Sequence, residues 1–161
     1  MAKKNKKGDT LISTKLNPYK PDTALGLREK VSTSENGKTY IIKFNNIKPS
    51  TVYPIDGVII TEGVRCDKLV LFESDIDNNI WTEVFVELKG KNVDHAIDQI
   101  KATIDKPIFQ HKSISHRWAR IVAQSVPSNT GKSVVERARN YFSKKHITFK
   151  CKSGVLEEEV E

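Results

Sequence analysis

A chain of 161 residues is sized for one domain, since a single core of this length buries roughly two thirds of the unfolded surface and a second independent core is excluded. An apolar share of 37% with 7% aromatics excludes a disordered chain, and no segment reaches the ~18 apolar residues of a membrane span. The formal charge of +7 favours nucleic acid only weakly: Lys3, Lys4, Lys6 and Lys7 form an N-terminal run, and setting them aside turns 27 basic residues into 23 against 20 acidic.

No signal-peptide h-region follows the run, so a cytoplasmic location is expected. Cys66 and Cys151 lack CxxC spacing and stand in apolar strand-like runs, so both are expected to be buried free thiols.

In chain order, residues 1–36 carry Asn17-Pro18, Lys20-Pro21 and Gly26 with little periodicity, and are expected as a basic arm and irregular lead-in with one short helix near Thr23–Val31. Residues 37–155 are expected as one α/β domain. Thr39–Phe44 is β-branched and aromatic, and Gly57–Thr61 is a short apolar run; both read as strands. Residues 65–74 and Trp81–Leu88 are strand-like and flank the turn-forming Asp75–Asn79, which predicts a hairpin. Asn92 can cap a helix with Val93, Ala96, Ile97, Ile100 and Ile104 on one face, ended by Lys106-Pro107. Trp118–Val126 reads as a strand. A helix follows with Val134, Val135, Ala138, Tyr141 and Phe142 on one side and Ser133 with Glu136 as a capping box. His146–Lys152 alternates as a last strand, and residues 156–161 read as a frayed acidic tail. The order strands, helix, strand, helix, strand implies a mixed sheet with parallel neighbours in its second half.

Alternation along Trp81–Gly90 puts Glu87 and Lys89 on one face, at a strand end where the hairpin partner can bring Asp67 alongside. Magnesium, a hard cation that keeps several waters, needs few side-chain oxygens. Asp67 and Glu87 are therefore expected as its anchors, with the Leu88 backbone carbonyl as a third oxygen and Mn²⁺ as a substitute metal. Lys89 is expected to orient or deprotonate an attacking water and to contact a scissile phosphate.

Asp67, then Glu87-Leu88-Lys89 twenty positions later, then an amphipathic helix, resembles the PD-(D/E)XK, or restriction-endonuclease-like, nuclease superfamily over roughly residues 57–152. The resemblance implies an α/β fold with a restriction-endonuclease-like mixed β-sheet flanked by helices, and Mg²⁺-dependent hydrolysis of phosphodiester bonds, usually in DNA. Cys66 stands where the motif name has Pro. The resemblance also implies a place for Gln99 in the catalytic centre, although Thr103 occupies the position where several such families have Tyr. Glu62 is the candidate for an additional metal-binding acid, without a clear helix around it.

Lys91, Lys112, Arg117, Arg120 and Lys132 are the expected contacts to a nucleic-acid backbone, with His116 beside them. Cleavage of both strands by so small a chain suggests a homodimer. Val126–Ser133 resembles a phosphate-binding loop but lacks its first glycine and reads as a turn before a helix. His95, His111, His116 and His146 have no ligand-pair spacing, and Trp81 and Trp118 read as core or rim packing. The alternative to an enzyme is the same fold with a weakened centre, serving as a nucleic-acid or protein binding module.

Overall fold

The computed structural model describes residues 8–90, 92–126 and 130–161, and the side chains of 89, 90 and 130–133 fall outside that description. A single π-helical turn, Ile12–Leu16, leads into β1 (Thr23–Glu35) and β2 (Lys38–Pro54). Then follow β3 (Lys68–Asp75), β4 (Ile80–Gly90), α1 (Val93–Ile104), β5 (Ile114–Ala123), α2 (Thr130–Lys144), β6 (Ile147–Ser153) and β7 (Val155–Val160).

The class is α/β, built on a seven-stranded mixed sheet. Its order is β1-β2-β3-β4-β5-β6, with β7 pairing in parallel with the first half of β2. β2, β3 and β4 form an antiparallel meander, whereas β4, β5 and β6 run parallel because α1 and α2 are the crossovers between them. Each face of the sheet carries its own core. The odd residues Leu69, Leu71 and Phe85 pack with Ile97 and Ile100 of α1 and Phe142 of α2. The even residues Val70, Phe72, Val84 and Val86 pack with Tyr40, Ile42, Trp118 and Leu156 on the other side. Strands buried on both faces explain the nearly unbroken apolar runs of β3 and β4.

α1 forms where its apolar spacing predicts, and Asn92 caps it by accepting the His95 N–H at 3.2 Å. Its stripe Val93, Ala96, Ile97, Ile100, Ile104 is buried, and Thr103 lies on the same buried face.

Four expectations are corrected. The lead-in is not irregular past Thr23, and Thr23–Val31 is strand, not helix: β1 is the outer half of a hairpin whose two-residue turn is Asn36-Gly37, with φ of 51° and 76°. Both signs suit the turn that matches strand twist, and Asn-Gly is its favoured pair. Gly57–Thr61 is a turn with one bridge, Asp56 to Ile60, instead of a strand. α2 starts at Thr130, so Ser133 stands inside the helix and not at the position before its first residue. The acidic end is not frayed: β7 is paired with β2 from Val155 to Val160, and Glu158 is buried.

Candidate functional site

β3 and β4 meet antiparallel with Lys68 opposite Val86 and Leu69 opposite Phe85. Continued by one residue, that register sets Asp67 opposite Glu87, on the face covered by α1. The hydrogen bonds keep Asp67 against this end of β4, although its own N–H leaves the ladder by one residue. Asp67 donates its N–H to the Val86 carbonyl at 3.2 Å, and its Oδ2 accepts the Leu88 N–H at 2.8 Å. On the other side the Ile55 N–H donates to the Asp67 carbonyl at 2.9 Å. Asp67 is 2% exposed and Glu87 0%. Burial pushes the Cys66 thiol well above its ordinary range, the Thr103 hydroxyl opposes the shift, and the charges of Glu87 and Asp67 add to it. Thus Cys66 senses both carboxylates.

The register of β4 against β5 slips between Glu87 and Gly90. The extra residue on β4 forms a bulge, a device common beside active sites. Leu88 and Lys89 lie within it.

Lys89 belongs to β4 by its backbone, but its side chain is outside the described residues, as is that of Lys132 in α2; Lys91 lies wholly outside. Glu62 is exposed in the loop before Asp67, with no helix around it. Gln99 donates from Nε2 to the Arg65 carbonyl at 3.1 Å, so its amide group holds the chain leading to Asp67.

The arginines expected at a nucleic-acid backbone are engaged elsewhere. Arg120 is 2% exposed and bound through its guanidinium to Glu158, with a further bond to the Thr148 carbonyl at 2.8 Å, so it cannot reach a phosphate. Arg117 donates from Nε to Glu83 Oε1 at 2.8 Å and from Nη2 to the Ile104 carbonyl at the end of α1. Burial pushes the Glu83 carboxyl up to about 7, against the pull of the Arg117 charge. Lys112 and His116 are exposed. Lys112 adjoins Ser113, whose carbonyl accepts the Trp81 N–H at 2.8 Å. That is six residues along β4 from Glu87, or about 20 Å.

The sequence marks Thr103 only as a departure from Tyr, and gives no sign of its bond from the Cys66 N–H at 2.9 Å or of the ion pair of Arg65 with Asp56 at 2.7 Å. Thr103 was detectable as a lone hydroxyl in an aliphatic stripe, because a buried hydroxyl must find partners. Arg65 and Asp56 line a cavity of about 360 Å³ together with Gly63, Val64, His95 and Gln99. It opens beside the segment that leads into Asp67.

Among the described residues no group of three or more His, Cys, Asp and Glu side chains comes together as a metal cluster. A cation here would therefore rest on two carboxylates, one of them already accepting the Leu88 N–H. That donor set is poor for zinc, which takes four close protein ligands or three and a water, and it fits magnesium, which keeps waters and substrate oxygens. Comparison with protein-family models, with curated proteins and with solved structures found no match.

Proposed function

We propose that the chain is a Mg²⁺-dependent nuclease of restriction-endonuclease-like architecture that hydrolyses phosphodiester bonds in DNA. The observation that carries this reading is the placement of Asp67 beside Glu87 across β3 and β4, fixed by the bond from the Leu88 N–H to Asp67 Oδ2 at 2.8 Å. The order of an antiparallel meander, a helix, a parallel strand and a second helix supports it further.

In this proposal Asp67 and Glu87 hold Mg²⁺, with the Leu88 carbonyl as a third oxygen. The metal supplies charge that makes a water more acidic and offsets the charge developing on phosphorus. Lys89, two residues beyond Glu87, orients the attacking water and takes part in its deprotonation. Gln99 acts on the backbone ahead of Asp67, Glu62 is the candidate for an additional metal-binding acid, and Lys91, Lys112 and Lys132 are the candidate contacts to the nucleic-acid backbone. A homodimer and a cytoplasmic setting belong to the same proposal. No helix among the described residues is long and apolar enough to cross a membrane.

The test is incubation with plasmid, linear and single-stranded DNA in Mg²⁺ or Mn²⁺, beside Asp67→Ala and Lys89→Ala. Cleavage by the native chain that both variants lose supports the reading. Equal inertness of all three on every substrate defeats it.

One observation favours a second reading. Both carboxylates are almost completely buried, which suits a closed, weakened centre in a binding module. Such a module binds DNA with an affinity that falls as salt rises, without cleavage, and gains no melting temperature from Mg²⁺.

A further inference from the structure

The carbonyl of Arg65 and the N–H of Cys66 belong to one peptide unit, and in a trans peptide they point in opposite directions. α1 holds both ends. Gln99 Nε2 donates to the Arg65 carbonyl at 3.1 Å, and Thr103 Oγ1 accepts the Cys66 N–H at 2.9 Å. The two helix residues are tied to each other as well, since the Thr103 hydroxyl donates to the Gln99 carbonyl at 2.7 Å. They stand one turn apart on the same side of the helix, the spacing at which two side chains can grip one target.

The next residue is Asp67. With the plane of the 65–66 peptide fixed from α1, the Asp67 carbonyl taken by Ile55 and its N–H by Val86, little rotational freedom remains to the chain that presents its carboxylate. That carboxylate ends on the Leu88 N–H.

We propose that Thr103 and Gln99 are positioning residues: by clamping the Arg65–Cys66 peptide from both ends, they hold the Asp67 carboxylate against the Leu88 amide, opposite Glu87. A purely space-filling role would be served as well by valine at 103, the aliphatic isostere that the rest of the stripe resembles. A buried hydroxyl is retained where its two partners are the helix and this peptide. The consequence for metal binding rests on the nuclease reading above; the clamp itself does not.

Amide hydrogen exchange at Leu88, read by NMR, tests the clamp without any assumption about activity. In Thr103→Val and in Gln99→Leu, exchange at Leu88 should accelerate by about 10-fold or more while that of Ala119, deep in β5, stays as in the native chain. Thr103→Ser should restore Leu88. Leu88 protection unchanged in both variants overturns the proposal, and so does equal acceleration at Leu88 and Ala119, which signals general loosening. Gln99 is only half-buried, so its variant decides the question if Thr103→Val does not fold. Mn²⁺ titration of the same proteins supplies the second readout: both variants should lose about 10- to 100-fold in affinity, the range for residues that orient a ligand. A native chain that binds no Mn²⁺ refutes the metal centre, and exchange at Leu88 then decides the clamp alone.

Discussion

Glu158 accepts two hydrogen bonds from the guanidinium of Arg120, from Nε to Oε2 at 2.7 Å and from Nη2 to Oε1 at 3.0 Å, although their strands β7 and β5 are not neighbours in the sheet. Tyr40 of β2 donates to the same carboxylate at 2.6 Å. The first half of β2, carrying β7 with it, thus folds over the β4–β5 face, and the charge pair closes the second core. Burial alone would raise the Glu158 carboxyl, but Arg120, Lys150 and Tyr40 hold it below its ordinary value. Tyr40 is displaced in the opposite direction, well above its usual range, by its own burial and by the Glu158 charge.

Replacing Arg120 removes both guanidinium bonds from the buried Glu158 carboxylate and leaves it only the exposed Lys150, at 2.8 Å, as counter-charge. Arg120→Met should therefore cost about 3–5 kcal/mol of unfolding free energy in urea titration. Because the folded pKa of Glu158 is depressed, the pair stabilises fully above the unfolded value of about 4.3 and its contribution is lost as pH falls through the lower folded value. Melting curves of the native chain and of Arg120→Met should converge in that acid range. Parallel curves at all pH values would show that the pair does not act as described.

Glu83 gives the opposite slope. Its folded pKa, about 7, lies above the unfolded value of about 4.3, so the native state binds the proton more tightly. Its contribution is complete below the unfolded value and is lost as pH rises through about 7. Glu83→Gln can still accept from Arg117 and should flatten that part of the stability profile. An unchanged slope in the variant would assign the effect to another group.

If Asp67 and Glu87 hold Mg²⁺, the cation should raise the melting temperature, by a shift equivalent to about 2.7 kcal/mol at 100 times its dissociation constant. Glu87→Gln should abolish the shift while folding normally, since an uncharged amide of the same size remains in the strand. A shift of equal size in the variant would move the metal elsewhere.

Gly37 takes φ of +76° in the β1–β2 turn, where a side chain would meet no neighbour but would still suffer the left-handed backbone. Gly37→Val should cost about 1–2 kcal/mol, measured by denaturant unfolding. A neutral result would mean that the hairpin adopts another turn.

The parts of this protein that depend on short-range order are legible in its residues. Apolar runs and turn residues locate β3, β4, α1 and β6 to within a few residues, because strand and helix periods are local properties of the chain. The two-strand hairpin also suffices to expect Asp67 beside Glu87, since an eight-residue strand and a tight turn leave few registers. Asn36-Gly37 is an equally legible signal for β1, but the flanking strand alternates only at Val31 and Thr33, with exposed residues through Leu25 and Leu27, and so lacks an apolar period.

What charged and polar residues do at long range emerges only once the elements pack. Arg120 reads in the sequence as a surface base and Glu158 as part of a solvated tail, yet closure of β2 and β7 over β5 buries both, and a buried charge must be matched. The same holds for Arg117 with Glu83, and for Thr103 and Gln99 on the peptide ahead of Asp67. Their partners lie some 34 to 38 positions away, beyond any periodic pattern, and each pairing exists because packing leaves no water to satisfy the group instead.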